Sequence, residues 1–120
     1  MVSGPSATMM LADQGADVIK VENPGGGDQT RASANKQNGF SANFINNNRN
    51  KRSIALNLKD ADARQAVLKL CDGADVFIQN FRPGVVDRMG IGESDIRAVC
   101  PDIVYVSISG FGETGPYVGK

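Results

Sequence analysis

Apolar positions along the chain switch between helical spacing and short strand-like runs. Ala7, Met10 and Leu11, with Gln14, share one helix face. Ser3-Gly4-Pro5 opens that helix, with Ser3 as cap and Pro5 pre-set for the first turn, and Gly15 closes it. Residues 17–21 then read as a strand, broken by Pro24-Gly25-Gly26-Gly27-Asp28. The polar stretch that follows runs to about Asn50. Its seven asparagines argue against regular structure, with Phe40, Phe44 and Ile45 pinning at most a helical turn. Residues 53–58 alternate as a strand does, and residues 60–72 place Ala63, Ala66, Val67, Leu70 and Cys71 at helical spacing. A buried strand is predicted over 75–79, short helices over 85–89 and 93–100, and a last strand over 103–109. Ile96, Val99 and Cys100 are the expected buried positions of the second short helix.

Strands alternating with helices predict an α/β domain: a Rossmann-like, mostly parallel sheet with flanking helices. The pattern opens on a helix without a preceding strand and closes on a glycine loop, so the sheet is expected to be incomplete at both ends, a piece of a larger domain. Composition agrees with a globular chain of 120 residues, 41% hydrophobic and 22% charged. No apolar run approaches a membrane span, and the N-terminal residues do not read as a signal peptide, so a cytoplasmic protein is expected. Without histidine, Ser-His-Asp and Cys-His nucleophiles and His-ligated zinc are excluded within these residues. Cys71 and Cys100 alone make neither a disulfide framework nor a four-cysteine metal site, and Cys71 reads as core.

Charge is balanced overall but unevenly spread. Residues 1–28 hold Asp13, Asp17, Glu22 and Asp28 against Lys20 alone; residues 29–59 hold Arg31, Lys36, Arg49, Lys51, Arg52 and Lys59 with no acid. Such a segment needs negative charge nearby. Two readings stay open: a solvated stretch opposite the acidic N-terminal part, or a site for a polyphosphate or carboxylate ligand. Nucleic acid is disfavoured by the few aromatics and the neutral balance.

Gly110-Phe111-Gly112-Glu113-Thr114-Gly115 spells a dinucleotide fingerprint, but after the last predicted strand rather than the first, where that motif belongs. Asn80-Phe81-Arg82-Pro83-Gly84 lies at the carboxyl end of a strand, where open α/β sheets bind ligands. Arg82 and Arg88 flank a short helix there. Their planar forks suit phosphate, and plain surface arginines are the alternative.

Taken in order, several motifs resemble the N-terminal region of family III CoA-transferases, the family that includes formyl-CoA and carnitine CoA-transferases and α-methylacyl-CoA racemases. They are Gly4-Pro5-x-Ala7-Thr8-x-Met10-Leu11-Ala12-Asp13, Gly15-Ala16-Asp17-Val18-Ile19-Lys20-Val21-Glu22, Gly27-Asp28-x-x-Arg31, Asn48-Arg49-Asn50-Lys51-Arg52-Ser53-Ile54, Ala74-Asp75-Val76, Asn80-Phe81-Arg82-Pro83-Gly84 and Gly110-Phe111-Gly112-x-x-Gly115-Pro116. The resemblance implies that residues 1–120 are part of the CoA-binding α/β domain of a larger CoA-transferase. By position, Leu56, Asn57, Leu58, Lys59, Asn80, Phe81 and Arg82 match segments lining the adenosine and phosphate site. Arg88 matches an arginine that contacts CoA, Val2 and Ser3 match residues beside the thioester, and Lys120 matches a further contact. A CoA-binding arginine of the family falls at Asn23 here, leaving Arg31, Arg49, Lys51 and Arg52 either to supply that charge or to shape the loop. Arg64 has no matching role.

The implied activity is transfer of CoA between an acyl-CoA thioester and a carboxylic acid by a homodimer, without a metal. An acyl-CoA racemase or epimerase and a truncated, non-catalytic CoA-binding module are the alternatives. The family's nucleophilic aspartate, which attacks the thioester and splits acyl transfer into two steps, matches no position up to residue 120. Asp28, Asp87 and Glu113 are therefore not assigned as nucleophiles, and these residues alone are expected to be inactive.

Overall fold

A computed structural model of the chain describes residues 2–33 and 36–118, leaving aside the side chain of Gln37. It divides into two compact units, Met1–Asn57 and Leu58–Lys120. In the first, helix α1 (Ser3–Asp13) leads into strand β1 (Val18–Glu22), a 3-10 turn (Gln29–Ala32), a hairpin of β2 (Lys36–Gln37) and β3 (Phe40–Ser41), helix α2 (Ala42–Asn48) and strand β4 (Lys51–Ala55). Strands β1 and β4 pair in parallel, Val18 opposite Lys51 and Glu22 opposite Ala55. In the second unit, α3 (Ala61–Cys71) is followed by β5 (Val76–Gln79), α4 (Val85–Arg88), α5 (Glu93–Val99) and β6 (Val104–Ser107). Strands β5 and β6 pair in parallel, Val76 opposite Val104 and Gln79 opposite Ser107.

The α/β class with parallel strands and an incomplete sheet is as expected; among the described residues the parallel pairing is carried by β1 with β4 and by β5 with β6, and an antiparallel hairpin is added. That hairpin lies inside the stretch expected to be irregular. Its turn is Asn38-Gly39, both with positive φ, the pairing a two-residue hairpin requires. The asparagines beyond it build α2 rather than oppose it. Asn47 is buried, donates to the Asn43 carbonyl at 2.9 Å and accepts from the Ser6 hydroxyl at 2.7 Å, fastening α2 to the first turns of α1. Asn48 donates to the Phe44 carbonyl and accepts from Lys20.

Burial corrects the expected faces. Gly4 and Ala12 are the buried residues of α1, while Met10 and Leu11 are exposed. Ser3 is the first helical residue, not a side-chain cap. In α3 the core side chains are Ala63, Val67 and Cys71, with Leu70 exposed; in α5 it is Ile96, with Val99 exposed. The Cys71 thiol is pushed up by burial and by neighbouring Cys100, which fits core packing rather than reactivity. Strand β4 ends at Ala55, so Leu56, Asn57, Leu58 and Lys59 lie outside the strand expected to contain most of them.

Candidate functional site

Two loops leave the carboxyl ends of the paired strands β5 and β6. The first, Asn80 to Gly84, turns into α4, with Gly84 in the left-handed region at φ 74°. Its left-handed backbone favours glycine; a Cβ at Gly84 would stand 3.1 Å from an Nη of Arg88, a contact that this exposed, flexible side chain can relieve. Phe81 and Arg82 are exposed on this loop and Arg88 is exposed on α4. Neither arginine side chain has a hydrogen-bond or ion-pair partner among the described residues. The loop itself is anchored. Buried Gln79 accepts from the Phe81 backbone N–H at 2.8 Å and donates to the Ser107 hydroxyl at 2.7 Å. Ser107 in turn donates to Glu113 of the glycine loop.

Every other arginine is occupied. Arg31 reaches both oxygens of buried Glu22 and lies 3.8 Å above the centre of the Phe44 ring. Arg49 pairs with Asp13 and Arg52 with Asp17. Arg97 binds Glu93 and the Ile103 carbonyl. Arg64 donates to the Lys59 carbonyl at 2.8 Å and touches that of Leu58, so it shapes the segment carrying two of the expected contacts. Lys51 points its ammonium at the carbonyls of Pro5 and Asn47, at 2.8 and 2.7 Å. Burial and nearby Lys20 push its pKa down to about 8. The basic segment thus faces the acidic N-terminal part: Arg31, Arg49 and Arg52 each meet one of its acids. The first of the two charge readings is the one these geometries fit, and of the four cations open to replace the contact at Asn23, none has its charge free.

Asn80, Phe81, Arg82 and Arg88 stand within one loop and the short helix after it. Leu58 and Lys59 belong to the same unit, at the entry to α3; Val2, Ser3, Leu56 and Asn57 belong to the first. Val2 and Ser3 are exposed at the start of α1, and Leu56 donates its backbone N–H to the Glu22 carbonyl. Lys120 lies outside the described residues. The glycine loop stays in turns through Val118 and opens no helix there, so the dinucleotide fingerprint lacks its structural context. Sequence reasoning missed Gln79, Ser107 and Glu113. A polar residue ending each of two adjacent apolar strands was the available signal. Among the described residues, no group of three potential metal ligands gathers, and no helix is long and apolar enough to cross a membrane.

A family model described as CoA-transferase family III matches residues 1–120. The chain is 48% identical over 117 residues to the succinyl-CoA:glutarate CoA-transferase of Mus musculus, covering 97% of this chain and 27% of that protein. It is 45% identical over 117 residues to the formyl-CoA:oxalate CoA-transferase of Escherichia coli, covering 97% of this chain and 28% of that protein. The crystal structure of a CAIB/BAIF family protein from Brucella suis superposes with a TM-score of 0.90 at 41% identity, covering 98% of this chain and 32% of that one. The chain therefore spans under a third of the length of each of these relatives.

Proposed function

The chain belongs to CoA-transferase family III, and on that premise we propose that the whole protein moves CoA between an acyl-CoA thioester and a small carboxylic acid, with residues 1–120 contributing to CoA binding. The observation that carries the reading is the state of the seven arginines. Five are satisfied inside the chain; the two that are not are Arg82, on the loop at the carboxyl end of β5, and Arg88, at the end of the short helix that follows it. A guanidinium left without an acid can make paired, charge-assisted bonds to a phosphate. Asn80 and Phe81 share that loop, and Leu58 and Lys59, whose carbonyls Arg64 holds, belong to the same unit; the resemblance alone proposes Val2, Ser3, Leu56, Asn57 and Lys120 as further CoA contacts. Relatives named as CoA-transferases favour transfer over racemisation. A cytoplasmic setting fits two free cysteines, and a homodimer fits the exposed apolar side chains of α1 and of β5 and β6.

Titration of the chain with CoA by calorimetry tests this. Arg82→Ala and Arg88→Ala are each expected to weaken binding roughly 10- to 100-fold, as loss of a charged hydrogen bond does. Lys69→Ala, on exposed α3 surface, is expected to leave it unchanged. Salt should weaken binding, and NADH should bind no better than CoA. Acyl-CoA donors and carboxylate acceptors should give no turnover with these residues alone, since none is assigned as nucleophile. Tight NADH binding without CoA binding would overturn the reading.

A further inference from the structure

We propose that Gln79, Ser107 and Glu113 are positioning residues that lock the Arg82 loop to the glycine loop, so that an exposed carboxylate after β6 sets the order of the loop after β5. The identity of the ligand served by that loop rests on the reading above; the coupling does not. Gln79 is 6% exposed, so each end of its amide must find a partner. Its oxygen faces the Phe81 N–H, which only an acceptor satisfies, and this fixes which way the amide points. The NH2 end must then face Ser107, its register partner on the neighbouring strand. Because Ser107 receives that bond, its single proton is left for an acceptor, and Glu113 takes it. Donor and acceptor assignments are thus forced along the whole run: Phe81 N–H to Gln79, Gln79 to Ser107, Ser107 to Glu113. If Glu113 is removed, the Ser107 proton loses its acceptor and is free to compete for other oxygens. If that proton turns toward the Gln79 amide, the hydroxyl no longer accepts from it, the NH2 end is left unheld, and the Phe81 N–H keeps its partner on an amide anchored at one end only. Since loops at the carboxyl ends of neighbouring parallel strands are where such sheets bind ligands, the relay prepares one loop through the other.

Hydrogen exchange of individual backbone amides in the chain, followed by NMR, tests the coupling without any ligand. Glu113→Ala and Ser107→Ala are expected to speed exchange of the Phe81 amide by about tenfold relative to the Cys100 amide, which reports general opening of the same unit. Ser107→Thr, which keeps the hydroxyl, is expected to restore protection. Unchanged Phe81 exchange in both alanine variants, or exchange that rises no more than at Cys100, would overturn the relay. CoA titration of the same variants forms the second arm, with affinity expected to fall in the alanine variants and recover in Ser107→Thr. If the unsubstituted chain does not bind CoA while Phe81 responds as described, the relay stands and the CoA reading falls.

Discussion

Asp28 holds together the bend after β1. One carboxylate oxygen takes the backbone N–H and the hydroxyl of Thr30, at 2.8 and 2.7 Å, and the other takes the Lys20 ammonium. Burial alone would raise its pKa, but the bonds from Lys20 and Thr30 outweigh burial and bring it to about 2. Because the folded value lies below the ordinary 3.8, the unfolded chain binds the proton more tightly, and the group's stabilisation is complete above pH 4 and lost as pH falls toward 2. Allowing for solvent screening, that contribution is roughly 1–2 kcal/mol. Asp28→Asn is expected to cost about that much at neutral pH and to flatten the acid limb between pH 4 and 2, measured by urea unfolding across pH. Arginines make the converse point about reading residues singly. Arg31, Arg49, Arg52 and Arg82 look alike in sequence, and what separates them is whether the fold brings an acid within reach. Only the chain's path from the acidic first part to the basic segment decides that, and no local pattern records it.

At the scale of elements, Lys51 joins three: it sits on β4, and its ammonium reaches the first turns of α1 through the Pro5 carbonyl and the end of α2 through that of Asn47. The brace holds the start of α1, where Val2 and Ser3 lie. Its pKa, pushed down to about 8 by burial and by Lys20, means that the folded state holds this proton less tightly than the unfolded state does. The penalty is therefore present in full below pH 8 and relieved as pH rises from 8 toward 10.5, where stability should climb. Lys51→Met is expected to remove that alkaline rise and, by leaving two carbonyls without their donor, to destabilise the chain by about 1–2 kcal/mol at neutral pH. Comparing unfolding free energies of the two proteins from pH 7 to 10 checks both. The strands and the longer helices were legible because their apolar positions repeat at the right period, as with buried Val67 and Cys71. The run of β5 marked a strand but not the buried one expected, for Val76 is exposed, Phe77 and Ile78 are half-buried, and the one fully buried side chain is the polar Gln79. The segment from Lys36 to Asn50 was not. Its strands are two residues long, too short to alternate, and its asparagines look like breakers until their amides are seen bonded to α1, to β1 and to one another. Asn38-Gly39 was the one local signal that pointed to a hairpin. The strand-end loop was found through its position and its arginine, while the buried amide anchoring it carries no periodic signature.

For the whole molecule, the question is where the apolar surface goes. Among the described residues the buried hydrophobic side chains are Ala12, Ala63, Val67, Cys71, Val86, Ile91, Ile96 and Ile103, and only Ala12 belongs to the first unit. That unit is held largely by ion pairs and amide hydrogen bonds, with Met10 and Leu11 of α1 open at 59% and 41% exposure. In the second unit the cross-strand partners Val76 and Val104 are likewise exposed, at 42% and 57%. Each such side chain is already about half covered, so burying the rest would gain roughly 1 kcal/mol, and several must be covered together to offset an association cost of about 4–15 kcal/mol. Each parallel pair is two-stranded among the described residues, so its outer edges lack a strand partner there, a second tendency to pair with another chain. These 120 residues are therefore expected to self-associate at high micromolar concentration, with dimers the first species in sedimentation velocity. Leu11→Lys and Val104→Lys place a charge in each apolar region without touching the arginines of the proposed site, and at least one should shift the distribution toward monomer while leaving the Phe81 amide protected. A clean monomer for the unsubstituted chain at those concentrations would mean that the open side chains are tolerated as ordinary surface, and the homodimer reading would lose the observation it rests on.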